Sequence, residues 1–213
     1  MLCQYLYMLW DSFAYRTNTV TFMIKLIPTA TVVASFLLTL FISCDSANNN
    51  ASGGQYGDSA SLVKRGEYLV TISGCNDCHS PKRMGNMGPE VIPETRLSGY
   101  PSGRPVAAFD TALAKKGIAQ FNEDMTAAAG PWGISFALNI TSDVSGIGNW
   151  TLDNFKTAMR HGKLKGAEKG RSLLPPMPWT NYTELTDEDL DAIFSYLKQT
   201  RPVKNFPPTP VLF

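Results

Sequence analysis

Residues 74–80 read GCNDCHS, so Cys75 and Cys78 stand two residues apart and His79 follows the second at once. The chain has four cysteines and two histidines in 213 residues, and half of each fall in this stretch. Three chemistries use such a cluster. A structural zinc site needs four ligands, usually as two spaced pairs. The other cysteines, Cys3 and Cys44, lie in or beside an N-terminal apolar segment, and His161 stands alone, so a second pair is missing. A thioredoxin-type dithiol belongs at a strand-to-helix turn, and no strand-like run precedes Cys75. The third is covalent haem attachment, for which C-x-x-C-H is the motif. The two thiols add across two vinyl groups of the porphyrin, and the adjacent histidine is held under the iron as its proximal ligand. Cys75, Cys78 and His79 are therefore the candidate haem site, and no structural disulfide is expected.

A low-spin haem needs a second axial ligand. Residues 173–179 read LLPPMPW, with Met177 boxed by Pro175, Pro176 and Pro178. A thioether is a weak ligand on a flexible stem. Flanking prolines fix φ and lower the entropy cost of holding it in place. Met177 is the candidate sixth ligand. The alternatives are His161, at the end of a helical pattern in a lysine-rich run, and Met125 or Met159; Met84 and Met87 follow His79 too closely to reach the opposite face.

Helical patterns surround these residues. One helix is expected from about Ser61 to Gly74, with Leu62, Leu69 and Ile72 near one face. A second is expected over 151–160, packing Phe155 and Met159 and ending at Gly162. The last follows Thr186, where Asp189 three residues on resembles a capping box, and carries Leu190, Ile193, Phe194 and Leu197 on one face until Arg201–Pro202. A short helix is expected between Pro105 and Lys116. No segment of four or more residues alternates with β-branched side chains, so the domain is predicted to be all-α, three to five helices with long loops. Loops of this length suit a domain that wraps a large flat apolar cofactor. Trp132, Trp150 and Trp179 are expected to pack the core or to line the haem crevice.

The chain is 44% hydrophobic with a formal net charge of +1. Residues 1–43 hold Arg16, Lys25 and Asp11, leaving 17 basic and 17 acidic side chains in the remainder. This balance excludes a nucleic-acid binder held by charge. Residues 23–44 read MIKLIPTATVVASFLLTLFISC, a short positive region and an apolar stretch ending at Ser43–Cys44. The pattern fits an export signal, 1–43, with Met23 as an alternative start, and a lipoprotein signal in which Cys44 is lipidated. A plain signal or an anchor helix is the alternative, since Leu26–Ser43 is 18 uncharged residues long. All these readings place the remainder on the extracytoplasmic, periplasmic side of a membrane, which agrees with the haem motif. Residues 44–60 read as a flexible tether, 61–203 as the domain and 204–213 as a tail. The sequons at Asn139, Asn149 and Asn181 read as chance.

Four stretches carry a family resemblance: GEYLVTISGCNDCHSP, NITSDVSGIGNW, NFKTAMRHGK and LLPPMPWTNYTELTDEDLDAIFSYLKQTRPV, spread across residues 66–203 and covering half of them. With these the chain resembles class I c-type cytochromes, and in particular the cytochrome modules of membrane-associated dehydrogenases. The resemblance implies a cytochrome c-like fold around one covalent haem c, with His79 and Met177 as axial ligands. It implies that Gly66 and Tyr196 meet where the first and last helices cross. It also implies that Pro89, in Gly88–Pro89, offers the carbonyl that orients His79, with Pro93 as competitor.

A six-coordinate haem has no open position, so its chemistry is one-electron transfer, and a methionine ligand raises its potential. The expected function is an electron carrier, not an enzyme, between a dehydrogenase or quinol-oxidising complex and an acceptor such as a terminal oxidase. The alternative is a haem sensor in which a gas displaces Met177; a di-haem peroxidase is disfavoured by the single motif. Lys163, Lys165, Lys169 and Arg171 suggest a basic rim for an acidic redox partner, or a solvated loop.

Overall fold

The structure is a computed structural model that describes residues 58–213. The expectations for the export segment, for Cys44 and for the tether as far as residue 57 lie outside the described residues; the last tether residues, Asp58 to Ala60, instead cap and begin the first helix. Among the described residues, no helix is long and apolar enough to cross a membrane.

Among the described residues, five α-helices frame the fold: α1 (Ser59–Ile72), α2 (Cys75–His79), α3 (Thr111–Lys115), α4 (Leu152–His161) and α5 (Asp187–Leu197). Their ends follow from local chemistry. Asp58 caps α1, its carboxylate accepting from Ser61 N at 2.6 Å. Thr151 and Asn154 form a complete capping box on α4, which stops at Gly162 in the left-handed region, φ 59°. Thr186 accepts from Asp189 N at 3.1 Å at the start of α5, whose first turn carries Asp187, Glu188 and Asp189 against the helix dipole. The helix near 105–116 contracts to the five residues of α3, capped by Asp110.

The all-α expectation is corrected by two small antiparallel sheets. Strands β1 (Lys82–Gly85) and β2 (Gly88–Val91) form a hairpin, and β3 (Gln120–Phe121), β4 (Ala127–Gly130) and β5 (Gly133–Phe136) form a second sheet in that order. Polar-apolar alternation could not reveal them. All four residues of β4 are buried, and they are alanine and glycine. β1 and β2 show no apolar face at all.

The main core lies where α1 crosses α5. Leu69 and Val70 of α1 meet Leu190, Ile193, Tyr196 and Leu197 of α5, with Phe155 and Met159 of α4 closing the third side. Gly66 makes the crossing possible: a Cβ there would stand 1.9 Å from Ala192 O and 2.7 Å from Tyr196 Cβ. Gly66 and Tyr196 thus meet as the resemblance implied. Arg65 reinforces the crossing through a 2.9 Å ion pair with Asp189.

Residues 204–213 are not a loose tail. Val211 pairs with Ile134 of β5, and Asn205 is buried among the loops. The segment is a strap that returns across the second sheet.

Replacing Gly66 by Ala would gain up to about 1 kcal/mol of helix propensity. It would also force two helix backbones apart, because the obstructing atom is a carbonyl that no rotamer change can move. Overpacking of this kind costs ~1–3 kcal/mol, and against backbone it lies at the upper end. Gly66→Ala should therefore be net destabilising, read as a lowered midpoint in thermal or denaturant unfolding; an unchanged midpoint would show that the crossing is loose.

Candidate functional site

Gly74 sets up the site. It sits in the left-handed region, φ 70°, between α1 and α2, and turns the chain so that the single-turn helix α2 starts at Cys75. The two cysteines and His79 then come from one short rigid element. α2 is fastened at its C-terminal end. Ser80 Oγ donates to Asn76 Oδ1 at 3.0 Å and accepts from Leu97 N at 2.9 Å. Lys82 Nζ donates to three main-chain carbonyls, those of Asp77, Ser80 and Asp124, at 2.6–3.1 Å. A cation on the orphan carbonyls of a helix end is favourable for both hydrogen bonding and the dipole.

Cys75, Cys78, His79 and Met177 all line one cavity of about 400 Å³. Its size falls within the roughly 300–1,000 Å³ of cofactor and ligand sites. Ile193 and Leu197 of α5 and Phe155, Ala158 and Met159 of α4 line it from the helical core. Phe121, Ala127, Ala128 and Phe136 line it from the second sheet, and Leu164, Leu173 and Leu174 from the loop before Met177. The lining is mostly carbon, as a flat apolar ring requires.

The proton placement on His79 follows from its neighbour. Nδ1 lies 2.7 Å from the carbonyl oxygen of Leu138. A carbonyl only accepts, so Nδ1 carries the hydrogen and Nε2 keeps its lone pair. Burial pushes the imidazole below its ordinary range, and the Leu138 hydrogen bond only partly opposes this. A neutral imidazole with a free Nε2 is the form that binds iron. The expectation for Pro89 is corrected here. Pro89 lies exposed in β2, paired opposite Met84, and the carbonyl that meets the ring comes instead from Leu138. The β1–β2 hairpin carries the Gly88–Pro89 pair outward, away from the cavity lining. Pro93 begins a short 3-10 turn and does not line the cavity either.

Burial pushes the Cys75 thiol up to about 11 and raises Cys78 as well. Among the described residues no group of three or more His, Cys, Asp or Glu is placed to hold a metal ion, and one cysteine pair with one histidine falls short of the four ligands of a structural zinc site.

Met177 rides on a loop tied to two elements. Ser135 of β5 donates from Oγ to Pro175 O at 2.7 Å, and Leu173 N donates to Gly162 O at the end of α4 at 2.6 Å. Trp179 packs over Gly162, where a Cβ would stand 2.4 Å from the indole. The other candidates divide. His161 is exposed and does not line the cavity, and neither do Met84 and Met87, which stay in the exposed hairpin. Met125 and Met159 do line it. Met159 is buried in the core on α4, whereas Met125 is 42% exposed. Of the three tryptophans considered, Trp150 lines the cavity, and Trp132 and Trp179 do not. Of the basic group, Lys165 and Arg171 line it, and Lys163 and Lys169 do not.

Of the stretch from Phe121 to Leu138, sequence reasoning named only Met125 and Trp132 and missed the strands and Leu138. A further legible signal was the Gly-Pro-Trp-Gly turn at 130–133, a hairpin punctuation after a run of three alanines. Asp124 anchors this stretch to α2. Its side chain is 1% exposed and pairs with Arg104 at 2.7 Å. Burial alone would raise its pKa, but hydrogen bonds from Thr126 and Arg104 more than offset that and hold it below the usual carboxylate value.

The chain has relatives among dehydrogenase subunits. It is 33% identical over 138 residues to the gluconate 2-dehydrogenase cytochrome c subunit of Pantoea cypripedii, covering 63% of this chain and 22% of that one. It is 31% identical over 144 residues to the fructose dehydrogenase cytochrome subunit of Gluconobacter japonicus, covering 66% and 22%. It is 39% identical over 142 residues to the alcohol dehydrogenase (quinone) cytochrome c subunit of Komagataeibacter europaeus, covering 65% and 22%. The chain thus spans about a fifth of the length of these curated relatives. No protein-family model matches the chain.

Asp124 gives a pH signature with a definite sign. Its folded pKa lies below the unfolded value near 3.8, so its stabilisation is present above that value and is lost as pH falls through the folded one. Thermal unfolding followed from pH 6 to pH 2 should show a wild-type midpoint that drops below about pH 4. In Asp124→Asn that acid-dependent part of the loss should be smaller; parallel curves would contradict the assignment.

Proposed function

Because the chain is homologous to cytochrome c subunits of dehydrogenases, we propose that it is a one-electron carrier with a single covalent haem c, held in a cytochrome c-like fold between His79 and Met177. The observation that carries this reading is the convergence of both motif cysteines, His79 and Met177 on one apolar cavity. The haem supplies an iron that cycles between ferric and ferrous states. The protein supplies the rest. Cys75 and Cys78 tether the ring as thioethers, so that the cofactor stays with the chain. His79 offers Nε2, and its Nδ1–H bond to Leu138 keeps the ring from rotating. Met177 offers a soft thioether that favours the ferrous state. The apolar walls exclude water and lower the cost of the electron's arrival by limiting reorganisation.

The proposed donor is a dehydrogenase or quinol-oxidising complex that completes its two-electron oxidation elsewhere, because one haem moves one electron at a time; the acceptor is a further redox protein such as a terminal oxidase. The sequence of residues 1–57 supports an exported, lipid-anchored carrier on the periplasmic side, with 1–43 as signal, Cys44 as lipid site and the polar residues from there to the start of α1 as tether. The proposed docking face is the cavity edge carrying Lys165 and Arg171, neither of which belongs to the ion pairs among the described residues. An exposed cationic edge attracts an acidic partner over about one Debye length, ~10 Å at 0.1 M salt.

Expression with a haem-ligation system should give a coloured protein that keeps its haem through denaturing electrophoresis. Double replacement Cys75→Ser, Cys78→Ser should abolish that retention. Met177→Ala should keep the covalent haem, lower its potential and open the iron to carbon monoxide; a variant indistinguishable from wild type would assign the sixth ligand to Met125 or Met159. With an acidic redox partner, the second-order electron-transfer rate should fall as ionic strength rises, and Lys165→Gln with Arg171→Gln should flatten that dependence. A salt-independent wild-type rate would remove the docking edge from the account.

A further inference from the structure

Donor and acceptor of the His79–Leu138 hydrogen bond are both fixed by one short segment, residues 97–102. On the donor side, Gly99 N donates to the main-chain carbonyl of His79 at 2.7 Å. On the acceptor side, Tyr100 N donates to Ala137 O and Ile140 N donates to Leu97 O, each at 3.0 Å, so the segment brackets Leu138 on both flanks. The approach is close. Gly99 has φ 78°, and a Cβ there would stand 2.4 Å from Ala137 O and 2.6 Å from Leu138 O. Leu97 is fully buried and holds φ 64°, a left-handed backbone that a branched apolar residue rarely adopts. The conformation of this segment is therefore imposed by its surroundings and not by local preference.

The imposing contact comes from the C-terminal strap. Asn205 is buried, and its carboxamide spends every polar atom on the segment: Nδ2 donates to Ser98 O at 2.7 Å and to Tyr100 O at 2.8 Å, and Oδ1 accepts from Ser102 N at 2.9 Å. Asn205 is itself anchored, its N–H to Ser145 Oγ at 3.0 Å and its carbonyl to Asn139 Nδ2 at 3.3 Å. Asn139 is the next residue after Leu138, so the clamp closes on the acceptor from both directions.

We propose that Asn205 is a positioning residue for the axial imidazole: by locking the 97–102 segment it sets the strength of the His79–Leu138 hydrogen bond, and through it the reduction potential. This rests on His79 being the iron ligand. A strong Nδ1–H bond makes the imidazole a better donor, which favours the ferric state and lowers the potential. Loosening the clamp weakens that bond and raises the potential.

The test uses the haem-loaded full chain as wild type, Asn205→Ala and the milder Asn205→Ser. Ser142→Ala serves as control, since it removes a partly buried hydrogen bond to Thr200 O that does not touch the segment. Two quantities are read: the midpoint potential, and the NMR shift and solvent exchange of the His79 Nδ1 proton in the reduced protein. Wild type should show a slowly exchanging Nδ1 proton. The Asn205 variants should exchange it roughly tenfold faster, move it upfield and shift the potential upward, with Asn205→Ser read where Asn205→Ala does not accumulate. Ser142→Ala should change neither quantity. A fast-exchanging wild-type proton, or haem-loaded Asn205 variants with unaltered proton and potential, would overturn this inference alone. A protein that takes up no covalent haem would contradict the functional reading and this inference with it.

Discussion

The structure turns on a single hydrogen bond, from the Nδ1 of His79 to a carbonyl 59 residues further along the chain. It fixes the imidazole's tautomer, its rotation and its basicity together. Much of the surrounding fold serves the two ends of that bond. α2 is a single turn because it has to deliver only two thiols and one ring. Its end is tied by Ser80, Asn76 and Lys82 into the loops that carry Leu97 and Asp124. The second sheet lies between Gln120 and Phe136 and delivers Leu138 two residues after its last strand. A cofactor ligand aimed by main-chain atoms is held more tightly than one aimed by a flexible side chain, because the carbonyl loses no rotamer entropy.

The opposite wall is built by different means. Met177 sits on a proline-rich loop held to β5 by Ser135 and to the end of α4 by Gly162. The helical core underneath is ordinary large-residue packing, with Leu190, Leu197 and Val70 almost wholly buried. It keeps the two walls at a fixed separation, since α5 packs against α1 and contributes Ile193 and Leu197 to the cavity floor. The two ion pairs of Asp187, with Lys156 and Arg160, join α4 to α5 on an exposed rim, where such pairs contribute little. The pair Arg104–Asp124 differs, because its carboxylate is buried and accepts further hydrogen bonds from Lys82 N, Asn122 and Thr126.

What the sequence disclosed depended on how local the signal was. The Cys75, Cys78 and His79 spacing, the periodicity of Leu190, Ile193 and Leu197, the cap at Thr186 and the stop at Gly162 are written within a few residues and were readable. The site of Met177 was suggested by its prolines, while Met125 and Met159 stand on the same cavity, so composition alone did not single it out. The sheet residues were hidden because Ala127–Gly130 are buried on both faces and made of small side chains, leaving no alternation. The acceptor for His79 was assigned to Pro89 by resemblance. The displacement of that role to Leu138 depends on a long-range pairing that no local pattern encodes. The strap at 204–213 looked like a tail because its anchor is one buried asparagine, a residue type that also populates exposed ends.

The most direct test of the account is the identity of the two side chains on the iron. Proton NMR of the reduced, haem-loaded protein places an iron-bound thioether methyl far upfield through the ring current of the porphyrin. The account expects one such methyl, connected through space to Leu174 and Pro178 and so assigned to Met177, together with ligand imidazole protons assigned to His79. An upfield methyl belonging to Met125 or Met159, or a spectrum with two ligand imidazoles and no shifted methyl, would contradict it.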